Sequence, residues 1–156
     1  MTKRPAASPI AWAFAGLVLP LAAGCDTGPA SSNADLQVAP ATFTSLKPTI
    51  KASCALSASC HSSAPNRSGG IDLETDPYAA LVNQPTVDAA YPKAKQTFPT
   101  LVIPGNAAQS FLYVKLTLPL GIDPNLGSSM PQASAKLDAA TIAAFKSWID
   151  AGARND

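Results

Sequence analysis

At 156 residues the chain has room for one modest domain and little more. Its 11 Lys and Arg nearly balance 10 Asp and Glu, giving a net charge of +1, and a chain without a basic excess is a poor partner for nucleic acid. With three Cys, two Met and one His, the composition also leaves few ways to assemble a reactive site.

The first residues, MTKRPAAS, give a positive amino end through Lys3 and Arg4. The uncharged apolar run PIAWAFAGLVLPLAA follows, and Gly24–Cys25 closes it. A positive head, a short apolar middle and small residues before a cut point predict an export signal over residues 1–24. The run is short for a membrane span, which needs about 20 residues. LAAGC resembles the lipobox of bacterial lipoproteins, whose Cys becomes the lipidated first residue of the mature chain. The Leu usual three places before that Cys is Ala22 here, with Leu21 one place earlier. The resemblance implies lipidation of Cys25; the alternative is ordinary cleavage nearby and a free thiol at Cys25. Acyl chains there would hold the protein on a membrane surface, at about 0.8 kcal/mol per buried methylene. Loss of residues 1–24 removes two of the 11 bases and none of the 10 acids, which moves the charge to −1.

Residues 25–41 are small, polar and Pro-containing, with almost nothing to bury, and read as a tether. A domain over residues 42–156 follows, long enough for one small core. Four stretches of it predict helices. FTSLKPTIKAS places Phe43, Leu46 and Ile50 on one face, although Pro48 fits best if the helix begins near it. DPYAALVN offers Asp76 as a cap and Pro77 in the first turn, with Tyr78, Leu81 and Val82 inward. NAAQSFLYVKL starts from Asn106 and carries Phe111, Leu112 and Leu116. The clearest is LDAATIAAFKSWIDAG: Asp138 caps it, Leu137 can staple to Ile142, Phe145, Trp148 and Ile149 continue the inner stripe, and Gly152 suits a left-handed stop. Between them, AYPKAKQTFPTLVIPG and TLPLGIDPNLGSSMPQAS read as long irregular loops, and no set of alternating strands is expected.

The chemistry concentrates in CALSASCH, Cys54 to His61. With Cys25 lipidated, Cys54 and Cys60 are the remaining cysteines. His61 is the one histidine, and Met130 is the one methionine after the signal. A c-type haem needs a Cys thiol, or two, to add across porphyrin vinyl groups, and a His directly after the last Cys to ligate iron. A distant Met commonly supplies the second ligand and raises the reduction potential. A haem would also fill a loop-rich domain that is short of apolar core.

CH at Cys60–His61, SGGIDL at 68–73, VIPGNAAQSFLYVKL at 102–116, SSMP at 128–131 and LDAATIAAFKSWIDAGA at 137–153 occur in one order. Over residues 43–153 the chain resembles the cytochrome c domains of secreted and lipid-anchored bacterial proteins. The resemblance implies an all-α fold of about four short helices with long loops around a haem, in which the first and last helices cross. By position, it implies a thioether at Cys60, a proximal ligand at His61, a distal ligand at Met130, and Phe43 packed on Trp148 at the crossing.

One departure bears on attachment. The usual motif is Cys-x-x-Cys-His, whereas five residues, Ala55 to Ser59, separate Cys54 from Cys60. Either the extra residues bulge outward so that Cys54 also reaches a vinyl group, or Ser57 replaces the missing first Cys and Cys60 alone attaches. The third option is a Cys54–Cys60 disulfide with no haem.

The leading expectation is an electron carrier with covalent haem c. It would be anchored outside the cytoplasm, on the periplasmic side of a membrane or at the cell surface, and would serve redox partner proteins at that membrane. The alternatives are a cofactor-free, disulfide-stapled interaction domain and a copper-binding protein, since two thiols, an imidazole and a thioether suit Cu(I). An enzyme is not expected, because the one His leaves no Ser–His–Asp set. Asp72, Glu74 and Asp76 lack the Gly and distal Glu of a calcium loop and read as a solvated acidic loop.

Overall fold

The computed structural model describes residues 39–87, 90–132 and 135–156. The expected export signal, Cys25 and all but the last residues of the expected tether lie outside them. Among the described residues the order is α1 (Phe43–Ser53), α2 (Pro77–Leu81), α3 (Pro92–Thr97), α4 (Phe111–Thr117), β1 (Ile122–Asp123), β2 (Gly127–Ser128) and α5 (Ala139–Asp150). Single 3-10 turns at Ser68–Gly70 and Ala107–Gln109 complete it. The domain is mostly helical, with one small antiparallel hairpin. No helix among these residues is long and apolar enough to cross a membrane.

Helix α1 forms because its apolar side chains recur on one face, and Phe43, Leu46 and Ile50 are all buried. Its first amides have no partners within the helix. Thr42 Oγ1 accepts from the Ser45 amide at 3.2 Å. Asp156 covers two more: its Oδ1 accepts from the Phe43 amide at 3.1 Å, and its main-chain oxygen accepts from the Thr44 amide at 2.9 Å. A carboxylate at a helix N-terminus is also favoured by the helix dipole. Pro48 lies inside α1 rather than near its start. It sits on the exposed outer face, so the helix gives up a main-chain bond there and keeps its buried stripe.

Helix α5 is the other main element. Asp138 accepts from the Thr141 amide at 2.8 Å and from the Thr141 hydroxyl at 2.7 Å. Phe145, Trp148 and Ile149 are buried. The helix ends in a six-to-one closure, with Ala153 N–H donating to Trp148 O at 2.9 Å and Gly152 N–H to Ile149 O at 3.0 Å. The positive φ of Gly152, 105°, is open to a residue without a Cβ.

The helices meet at an aromatic crossing. The Phe43 and Trp148 rings are 5.3 Å apart, and Tyr78 stands edge-on to Phe43 at 5.2 Å. The polar edges are satisfied, Trp148 Nε1 by Arg154 O at 2.8 Å and the Tyr78 hydroxyl by Ala153 O at 3.1 Å.

The chain departs from its sequence pattern in three places. The segment expected to be irregular around residues 90–105 contains α3, started by Pro92. The later loop contains the β1–β2 hairpin, with Ile122 opposite Ser128 and Asp123 opposite Gly127. Asp123 Oδ1 shapes its turn by accepting from the Asn125 and Leu126 amides, both at 2.8 Å. Finally, the helix expected to run from Asn106 breaks at Ser110. The Ser110 hydroxyl, fully buried, donates to Asn106 O at 2.7 Å and accepts from the Ile103 amide at 2.8 Å. These bonds tie the break to the preceding loop, and α4 starts afresh at Phe111.

Replacing Phe43 or Trp148 with Ala should lower unfolding free energy by about 3–5 kcal/mol, as for other buried large-to-small aromatic changes. Urea unfolding checks this, with Leu120→Ser as the control: Leu120 is 73 % exposed, and its change should stay within about 0.5 kcal/mol. A loss below about 1 kcal/mol at Phe43 would show that the crossing is not what holds α1 to α5.

Candidate functional site

Residues 54–76, between α1 and α2, form a long loop that main-chain hydrogen bonds fold back on itself. Cys54 caps the C-terminus of α1, its amide donating to Ile50 O at 2.8 Å. The chain then swings outward through Leu56 and Ser57, both exposed. It returns when the His61 amide donates to Cys54 O at 3.0 Å. Cys60 and His61 in turn accept from residues farther along, from Ser68 N–H at 2.9 Å and Leu73 N–H at 2.8 Å. The five-residue spacer is thus a bulge, and Cys54 is returned to the side of His61.

The following loop is fixed by side chains. The Arg67 guanidinium donates to Ser63 O, Ala64 O and Gly70 O at 3.2, 2.9 and 3.1 Å. Glu74 accepts from the Ser63 amide and hydroxyl at 3.0 and 2.9 Å. Asp72 accepts from the Glu74 and Thr75 amides, both at 3.0 Å, and Asp76 caps α2 through the Ala79 amide. All three carboxylates expected to form a solvated acidic loop therefore bond to nearby main chain. The bonds to Ser63 and to Asp72's own loop hold Asp72 and Glu74 below the usual carboxylate range.

His61 Nδ1 lies 3.0 Å from Ser68 O. A carbonyl can only accept, so Nδ1 carries the proton and Nε2 of the neutral ring keeps its lone pair. Burial lowers the His61 pKa, the Ser68 carbonyl raises it by a lesser amount, and the Lys115 charge adds to the lowering. A neutral imidazole with one nitrogen engaged by a carbonyl is the arrangement metal-ligating histidines use.

Cys54, Cys60, His61 and Met130 all line one cavity of about 630 Å³. Its remaining wall is largely apolar, with Leu73, Leu81, Leu101, Phe111, Leu112 and Leu116 among the lining residues. The volume falls in the range of about 300–1,000 Å³ typical of small-molecule and cofactor sites. Met130 arrives from the hairpin: its amide donates to Lys115 O at 2.9 Å, and the Met130–Pro131 peptide is cis. Cys54 and Cys60 are free thiols, both half-buried. Burial and the neighbouring Cys60 push the Cys54 thiol up to about 11. Ser57, which stands where the usual motif has its first Cys, has its Oγ 3.2 Å from Cys60 Sγ. It is not among the residues lining the cavity.

Compared with known proteins, the chain matches no family model, and no curated protein or solved structure is significantly similar to it.

Among the described residues no group of three or more His, Cys, Asp or Glu side chains is placed to hold a metal ion. What the fold gathers is a thiol pair, an imidazole and a thioether around an apolar volume. Lys115 and Tyr91 are among the wall residues that the sequence does not single out. Lys115 is 9 % exposed, and its ammonium donates to Leu126 O at 2.9 Å and lies 5.4 Å from the Phe111 ring centre. In the sequence it is one surface-type residue on a short helix; only its contact with the hairpin reveals it.

With its thiol near 11, roughly 0.1 % of Cys54 is thiolate at pH 8. Iodoacetamide labelling of Cys54 in reduced, haem-free protein should therefore rise about tenfold per pH unit from 8 to 10 without levelling. Peptide-resolved mass spectrometry reads this directly, and a plateau near pH 9 would mean that the thiol is not desolvated.

Proposed function

We propose that residues 42–156 are a c-type cytochrome domain that carries single electrons. The observation that carries the reading is the convergence of Cys54, Cys60, His61 and Met130 on one apolar cavity. The residues fit the group. Soft and imidazole donors flank an apolar space of suitable size, and the His61 Nδ1–H bond leaves Nε2 as a ligand. A haem bound there would supply reversible ferric–ferrous exchange.

The chain's own residues do the rest. His61 and Met130 would both serve as donors that hold the group, and a site that uses its imidazole and its thioether to hold the group suits a carrier better than an enzyme. The leucines and Phe111 would exclude water and favour the less charged state of the centre. Both cysteines that line the cavity would form thioethers, because the bulge returns Cys54 to His61 while Ser57 stays outside the wall. With the expected export signal and lipidation at Cys25, the domain would work on the outer side of a membrane and exchange electrons with proteins held there.

Expression with a c-type maturation system tests the reading. Denatured, reduced protein should keep a covalent haem mass, and its pyridine haemochrome should be of the two-thioether type. Cys54→Ser should move that spectrum to the single-thioether form, and His61→Ala should abolish stable haem incorporation. A protein with no visible absorbance, whose apo mass is two hydrogens short without reductant and gains them on reduction, would instead establish the disulfide-stapled domain.

A further inference from the structure

Met130 reaches the cavity on a segment rich in Pro and Gly, residues 118–131, whose regular structure is one two-residue strand pair. Lys136 Nζ ties the start of that segment through Leu118 O at 2.7 Å, and two of the hydrogen bonds that hold the segment are made by Lys115, a single residue of α4. Its main-chain oxygen accepts from the Met130 amide at 2.9 Å, just after β2. Its Nζ donates to Leu126 O at 2.9 Å, just before β2. The two bonds bracket the strand from one rigid helical position.

Burial makes the side-chain bond consequential. A buried ammonium must donate hydrogen bonds, and a charge-assisted bond to a carbonyl is stronger than a neutral one. An apolar side chain at 115 would leave Leu126 O without this donor. The contact also requires the strand to come close. A Cβ on Gly127 would lie 2.8 Å from Tyr91 Cε2 and 3.2 Å from Lys115 Nζ. The φ of Gly127 is +78°, a conformation L side chains rarely adopt. Tyr91 thus presses the bare strand from one side while Lys115 grips it at both ends.

We propose that Lys115 is the positioning residue for Met130, clasping the β1–β2 hairpin so that the thioether is presented to the cavity, with the Gly127–Tyr91 contact as the second jaw of the clasp. The inference rests on the proposed haem site and assigns the device that presents its methionine donor.

The test compares full-length wild type, Lys115→Leu and Gly127→Ala, all made with c-type maturation. Both variants should keep covalent haem and wild-type helical circular dichroism. Both should lose the methionine-to-iron charge-transfer band, show a lowered reduction potential and bind added imidazole, which the wild type should refuse. A folded variant that keeps the band, the potential and the refusal of imidazole overturns the proposal. Should Lys115→Leu fail to fold, Gly127→Ala decides alone, since it disturbs the clasp from the Tyr91 side. Should wild type carry no haem, the haem reading fails and the clasp is read separately. Dilute peroxide should then oxidise Met130 several-fold faster in the haem-free variants than in haem-free wild type, and equal rates would overturn the clasp too.

Discussion

The site depends on one short main-chain bond, from the His61 amide to the Cys54 carbonyl. It turns a spacer that is too long for the usual attachment motif into a loop whose two ends coincide. Without it, the position of Cys54 at the end of α1 and the position of His61 at the start of the next segment would be independent. With it, the orientation of the first helix is passed directly to the imidazole. The Ser68 and Leu73 amides then extend the same network to the loop beyond, and Arg67 braces that loop against its own carbonyls. The candidate proximal side of the cavity is therefore built from backbone hydrogen bonds braced by the Arg67, Asp72 and Glu74 side chains.

The opposite wall is built differently. Helix α4 contributes Phe111, Leu112, Lys115 and Leu116 to the cavity, and the hairpin hangs from that helix rather than from a sheet of its own. A small domain has limited core to spend, and this one divides its apolar side chains between the α1–α5 crossing and the cavity wall. The two share one contiguous core, and at the crossing even the indole and phenol polar atoms have hydrogen-bond partners.

The sequence shows most plainly what depends on local rules. The buried stripes of α1 and α5, the caps at Asp76 and Asp138 and the glycine stop at 152 follow from periodicity and capping chemistry, and they are where the structure has them. The positions of Cys54, Cys60, His61 and Met130 in chain order were legible too, and all four residues line the same cavity. What was hidden depends on contacts between segments far apart. Pro48 is tolerated because tertiary burial of Phe43, Leu46 and Ile50 outweighs the lost helical bond. Helix α3 and the hairpin are too short to leave a periodic signal. Lys115 looks like an ordinary helical surface charge until its carbonyl partner at Leu126 is known. The return of the chain to Cys54 likewise has no signature in the spacer, which is merely small and polar.

The capping of α1 by Asp156 has a consequence for how the domain joins other chains. The residues that enter the fold at Thr42 and those that leave it at Asp156 meet at one corner. Cys54 lies at the far end of an 11-residue helix, roughly 16 Å away at 1.5 Å per residue. In connectivity the domain is a closed ring, the property that lets a unit be spliced into a host protein or permuted with little rerouting. A segment joined next to Thr42 or Asp156 would enter at the same corner, a helix length from Cys54.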